Sequence, residues 1–218
     1  MEKEIHIHIG THKTGSTSLQ SILGSSRIEL RRQGKDYYFG SINENNHIEL
    51  YLVTLRKRVE TFGRLSANPR HNVTYGVVKA DVQQFINESS CDRLIFSCEG
   101  LSLLRTPSEV RALKLLFGDQ HKFKILLALR NKIDFLASYR AQILKKPGRM
   151  PSSDPDSALY VESDTWLLKY EELEKVYRDE FGDVEVVNYS RSVVRELLIA
   201  MGVNLPEEET RVFLNSRN

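Results

Sequence analysis

The run Ile5-His6-Ile7-His8-Ile9 alternates in polarity and stops at Gly10, which predicts a short strand. Small and polar residues follow, and then Leu19, Ile22, Leu23 and Leu30 recur at helical spacing, so a helix is expected to begin near Ser16. A strand, a tight glycine loop and a helix in direct succession leave few folds open, because the helix must return to pack on the sheet its strand belongs to. The rest of the chain keeps that alternation. Residues 35–39 read as a strand; Ile48, Leu52, Leu55, Val59 and Phe62 form one helical stripe over four turns. Residues 63–76, with Gly63, Pro69 and Gly76, read as a loop, and 94–97 as the next strand. Thr106-Pro107-Ser108-Glu109 is a helix start, with Thr as N-cap, Pro in the first turn and Glu closing a capping box.

Residues 123–129 are almost wholly apolar, as a strand covered on both faces of a parallel sheet should be. Ile133, Leu136, Ala137 and Leu144 mark the following helix. Residues 145–162 hold three of the six prolines and read as a long mobile loop, a candidate lid over a bound ligand. Trp166, Tyr170, Leu173 and Tyr177 predict a helix, 184–187 a strand, and Val194, Leu197, Leu198 and Met201 a last helix closed by Gly202. The expectation is one doubly wound α/β layer structure over residues 1–218.

Composition narrows the function classes. A net charge of +2 gives no field suited to nucleic acid or a membrane surface. The basic clusters Arg31-Arg32, Arg56-Lys57-Arg58 and Lys145-Lys146 read as solvated faces. Two cysteines, Cys91 and Cys98, make neither a disulfide framework nor a metal-ligand spacing, so reduced thiols and a cytoplasmic location are expected. The N-terminus has no apolar leader, and no stretch is long enough to span a bilayer.

The segment Gly10-Thr-His-Lys-Thr-Gly15-Ser16-Thr17 carries the chemistry. Between a strand and a helix it aims backbone N–H groups and a helix N-terminus at one point, which is an anion site. Lys13 adds a cation and Ser16, Thr17 and Ser18 add hydroxyls. The glycine spacing fits the Walker A pattern G-x4-G-K-[ST], but Ser16 stands where its lysine belongs, and the lysine lies three residues upstream. A small-molecule P-loop kinase, with Glu99 near the metal, is therefore the weaker alternative.

The stretch from His8 to Gln20, His-Ile-Gly-Thr-His-Lys-Thr-Gly-Ser-Thr-Ser-Leu-Gln, resembles the 5′-phosphosulfate loop of PAPS-dependent sulfotransferases, particularly the bacterial pattern H-I-G-x-x-K-T-G-T-T-S-L-Q. Only the first Thr of the Thr-Thr pair differs, as Ser16, which keeps the hydroxyl. The resemblance implies a P-loop NTPase-like parallel sheet of about five strands with helices on both faces. It also implies that His12, Lys13, Thr14, Gly15, Ser16, Thr17 and Ser18 bind the donor PAPS, whose product is PAP. Its second phosphate pocket would be Arg130 and, eight residues on, Ser138, with Gln142 also fitting the bacterial subgroup. Lys132 replaces a proline that many relatives carry there.

Arg93-Leu-Ile-Phe-Ser97-Cys98-Glu99-Gly100 places a carboxylate just past a strand's carboxyl end, the edge at which open α/β sheets bind ligands. Ser97-Cys98-Glu99-Gly100 is similar to the S-x-E-G of bacterial and heparan-type sulfotransferases, which implies Glu99 as general base beside Lys13 as the second catalytic residue. His12, His47, His71 and His121 are the rival bases, and His6 and His8 read as a satisfied core pair. The family uses no metal. The acceptor would be a small molecule or saccharide bearing a hydroxyl or amine, and a PAP-binding module without turnover is the non-enzyme alternative. Relatives usually continue past the position of Asn218 by a helix or two, so the expectation is either a C-terminally short domain or a sequence trimmed at that end.

Overall fold

The computed structural model describes residues 2–66, 73–145 and 148–206. Five strands form one sheet: β1 (Glu4–Gly10), β2 (Lys35–Tyr37), β3 (Arg93–Ser97), β4 (Lys122–Leu129) and β5 (Val184–Asn188), in the order β2-β3-β1-β4-β5. Every pairing is parallel; His8 lies opposite Ser97 on one side and Leu126 on the other. The polarity alternation of β1 therefore reports two different faces of a covered strand, and both His6 and His8 are buried with the isoleucines.

Helices cover both faces. Helix α1 (Ser16–Ser25), α2 (Arg27–Arg32) and α9 (Val193–Ala200) enclose one core, where Leu19, Ile22, Leu23 and Leu197 meet Ile95, Leu126 and Val187. On the opposite face α3 (Ile48–Thr54), α5 (Tyr75–Glu88), α6 (Pro107–Phe117), α7 (Lys132–Leu144) and α8 (Tyr170–Phe181) bury Ile5, Ile7, Ile9, Phe96 and Leu127. The short α4 (Phe62–Ser66) lies between α3 and α5 in the chain. The capping box at Thr106 and Glu109 forms as its sequence predicts.

Several helix expectations change. The stripe from Ile48 to Phe62 is not one helix: α3 ends at Thr54 and Leu55 turns to an extended backbone. The reason is tertiary. The Arg56 amide donates to the Glu109 carboxylate (2.8 Å), and the Arg64 guanidinium donates to the carbonyls of Leu55, Arg56, Lys57 and Val59, which holds the chain off a helical path. The loop expected over 63–76 is partly helical, since α4 runs to Ser66 and α5 starts at Tyr75; Pro69 lies outside the described residues. Helix α5 itself has no counterpart in the sequence reading, although Val78, Val82 and Ile86 bury one stripe and the Thr74 hydroxyl caps it by accepting from the Val77 amide.

In α7 the core face consists of Phe135, Tyr139 and Ile143, while Ile133 and Leu144 are 78% and 50% exposed. The last helix pair also differs: Trp166–Leu168 is a 3-10 turn and α8 starts only at Tyr170. Nor is the segment after α7 a free lid throughout. Ser157, Ala158, Leu159 and Val161 are buried, and the Ala158 amide donates to the Glu60 carbonyl. Among the described residues no helix is long and apolar enough to cross a membrane.

Candidate functional site

The order of the strands reverses at β1. The connection leaving β1 runs toward β2, whereas the connection leaving β4 runs to β5 on the other side, so a crevice opens between the carboxyl ends of β1 and β4. Residues 11–15 fill its rim. The Thr11 amide donates to the Ala128 carbonyl (2.9 Å), tying the loop to β4. The Thr14 hydroxyl, fully buried, donates to the Thr11 carbonyl (2.7 Å) and closes the loop from below. That leaves only the backbone of Thr14 for a ligand.

Two residues of the loop are left-handed, Gly15 at φ 83° and Lys13 at φ 70°. Glycine adopts this freely, but lysine does so at a steric cost of roughly 1–2 kcal/mol. Sustained strain of this kind clusters at binding sites. Gly15 is the N-cap of α1, so the first amides of a ten-residue helix face the loop. Around it, Ser16 is buried, Ser18 half-buried, and Lys13 and Thr17 exposed. Gly10 has a second use: a side chain there would press on the Thr14 hydroxyl, 2.8 Å away, and on His8 Nε2, 3.2 Å away.

Arg130 directly follows β4, on the other side of the crevice. Its guanidinium donates to the Lys13 carbonyl (3.0 Å) and lies over the Tyr189 ring (4.6 Å to the centroid), while its Nε is enclosed without a hydrogen-bond partner. Ser138 is half-buried about two turns into α7, whose N-cap Asn131 accepts from the Ile133 and Asp134 amides. The structure thus brings Arg130 and the Lys13 loop into direct contact.

Glu99 begins a 3-10 turn (Glu99–Leu103) after β3, next to β1 on its other side. Its side chain is 23% exposed, and its Oε1 lies 3.8 Å from His12 Nδ1, an ion-pair distance too long for a hydrogen bond. Burial pushes its carboxyl upward, but His12 and the Ser16 hydroxyl favour the charged form and hold it below the usual carboxylate range. His12 stacks on the Tyr139 ring with centroids 4.8 Å apart. Three polar atoms here, His12 Nδ1, Glu99 Oε2 and His8 Nε2, are buried without hydrogen-bond partners, as is the Tyr170 hydroxyl. Orphans of this kind are costly unless a ligand or water meets them.

Among the other described histidines, the core pair is not satisfied as expected, because His6 Nδ1 and His8 Nε2 are buried without hydrogen-bond partners. His47 is enclosed, contacts the Tyr38 carbonyl (2.9 Å) and accepts from the Ser97 amide (3.0 Å); desolvation lowers its pKa to about 3. His121 accepts from the Lys3 amide at the opposite end of the sheet, and His71 lies outside the described residues. His6 sits 2.7 Å from Glu4, and His8 sits 2.8 Å from the Ser97 hydroxyl with its pKa lowered to about 4 by desolvation. Among the described residues no group of three or more His, Cys, Asp or Glu side chains is placed to hold a metal ion.

A pocket of about 150 Å³ opens beside Glu99 and His12, walled by Tyr51, Phe62 and Tyr139 and edged by Asn46 and Gln142. Sequence reasoning missed it, because its walls come from α3, α4, α7 and the turn after β3, which no local pattern connects. Glu99 therefore stands between the loop at residues 11–15 and a small pocket. No protein-family model matches the chain, and no curated protein matches it.

Proposed function

We propose that the chain is a PAPS-dependent sulfotransferase, moving a sulfuryl group to a hydroxyl or amine of a small acceptor. The observation that carries this reading is the placement of three groups just past the carboxyl ends of neighbouring strands: the strained Lys13 loop after β1, Arg130 after β4 and Glu99 after β3. The loop is cationic, lined with amides and hydroxyls, and so fits a 5′-phosphosulfate. Arg130, with an unpaired Nε, fits a 3′-phosphate, for which Ser138 on α7 would be the second donor. The buried thiols of Cys91 and Cys98 are compatible with a reducing, cytoplasmic setting.

In this reading the acceptor oxygen attacks sulfur in line as the bond from sulfur to the bridging phosphate oxygen breaks. The electron pair stays with PAP, and the acceptor proton goes to Glu99 and then to water. Lys13 and the loop amides offset charge growing on the bridging oxygen. Positioning and charge stabilisation supply most of the rate, as in phosphoryl transfer.

A thermal-shift comparison tests the donor. PAP without Mg²⁺ at about 100 times Kd should stabilise the chain by roughly 2.7 kcal/mol. Stabilisation by ATP-Mg²⁺ alone would replace this reading with a kinase. PAP binding with no turnover of PAPS toward any acceptor would leave only a binding module.

A further inference from the structure

Among the described residues, every left-handed backbone position other than Lys13 is a glycine, which adopts that conformation without steric cost. A lysine stays there only where its surroundings hold it. Its chain neighbours are pinned: the Thr11 amide on the Ala128 carbonyl, the Thr14 hydroxyl on the Thr11 carbonyl, and the Gly15 carbonyl under the Ser18 and Leu19 amides. The Lys13 carbonyl itself is met by a cation, the Arg130 guanidinium at 3.0 Å. We infer that Arg130 is a positioning residue for Lys13 and couples the two anion sites, so that a 3′-phosphate tightens the grip of Lys13 on the 5′ anion. The identity of the two anions rests on the sulfotransferase reading; the contact between the two residues does not.

The shape of the guanidinium suits it to this task. It is planar and rigid, and all its N–H donors lie in one plane. Nη1 serves the Lys13 carbonyl, the group lies over the Tyr189 ring (4.6 Å to the centroid), and Nε is enclosed without a hydrogen-bond partner. The Tyr189 amide donates to the Leu129 carbonyl (2.6 Å), which fixes the backbone of that ring beside β4. An anion that takes the Nε edge therefore fixes the plane, and with it the direction of the Nη1 proton toward Lys13. A lysine at position 130 would supply the charge but not the second, rigidly linked arm.

Solvent decides when the brace acts. The bond from Arg130 to Lys13 is open to water, where a single hydrogen bond contributes little. A phosphate seated on Arg130 excludes that water, and the same charge-assisted bond strengthens in the lower dielectric. Lys13 is then held in its left-handed turn, with its ammonium kept at the loop rather than released by relaxation of the backbone. Linkage makes the effect mutual: an anion gripped by Lys13 tightens the Arg130 pocket by the same factor.

Calorimetry on the full chain tests this with PAP and AMP, which differ only in the 3′-phosphate. The proteins are the parent, Lys13→Ala, Arg130→Lys and the double variant. Alanine at 13 keeps the left-handed cost of the backbone, and lysine at 130 keeps the charge, so neither strain nor the long-range field changes. In the parent background Lys13→Ala should weaken PAP at least about fivefold more than it weakens AMP. In the Arg130→Lys background the two losses should be equal. Equal losses already in the parent background overturn the inference, because Arg130 then only rests on the carbonyl. A difference that survives Arg130→Lys also overturns it, since the coupling would then be one of charge alone. A parent that binds neither nucleotide sinks the donor reading and this coupling with it, whereas one that binds both and shows equal losses sinks the coupling alone.

Discussion

At the scale of single residues, Glu99 is where the two halves of the site meet, and its charge state follows from its neighbours. Glu99→Gln is nearly isosteric and should keep PAP affinity while cutting turnover roughly 10²–10⁴-fold, the usual worth of a general base. Near-parental turnover in a steady-state assay would move the base to His12, 3.8 Å away. Because the Glu99 carboxyl lies below its ordinary value of 4.5, it is ionised throughout the neutral range. Its ionisation should therefore leave no inflection in kcat/KM between pH 6 and 8. Arg130→Ala should weaken PAP by roughly 1.5–3 kcal/mol and barely affect an analogue lacking the 3′-phosphate, as read by calorimetry. Equal losses for both ligands would mean that Arg130 only braces the Lys13 carbonyl.

A different carboxyl governs stability. Glu49 is fully buried with Oε2 unpaired, and desolvation raises its pKa from 4.5 to about 7. A folded-state value above the unfolded one stabilises the fold fully below pH 4.5, and that stability is lost as pH rises through about 7. Removing the charge should therefore help only at high pH. Glu49→Gln should match the parent in urea melts at pH 4 and exceed it by roughly 1–3 kcal/mol at pH 8.5. A variant less stable at both pH values would refute the assignment.

Among the elements, α7 shows how tertiary packing selects one helical face from two plausible ones. Its sequence holds two apolar sets, and the choice decides which side chains touch the site. Phe135, Tyr139 and Ile143 face the core, and Tyr139 then carries His12 on its ring. Ile143→Ala should cost roughly 2–5 kcal/mol in urea melts, whereas Ile133→Ala should stay within about 0.5 kcal/mol. Equal costs would place the helix in the other rotation. The same limit hid α5, whose stripe of Val78, Val82 and Ile86 is diluted by polar neighbours, and produced a false continuous helix from Ile48 to Phe62. In that second case the apolar spacing was genuine, but Arg64 and Glu109 bind the intervening backbone. Those partners come from other parts of the fold, and periodicity carries no trace of them.

For the whole molecule, the parallel sheet and its two helical layers are what place Lys13, Arg130 and Glu99 together, since these residues are 31 or more positions apart in sequence. The donor reading needs no metal, so PAP binding should survive EDTA in the thermal-shift assay. Loss that Mg²⁺ restores would favour the kinase. The chain's local chemistry determined β1, the glycine loop and α1, because a strand, a turn needing left-handed backbone and a helix start are each encoded within a few residues. It also determined the class of the fold, through alternating strands and helices. Strand order was decided elsewhere, by which helices could cover which face, and with it the crevice between β1 and β4. So were the contact between Arg130 and the Lys13 carbonyl, the pairing of Glu99 with His12, and the small pocket beside them. Each of these depends on distances between segments remote in sequence, which only close packing of the folded chain fixes.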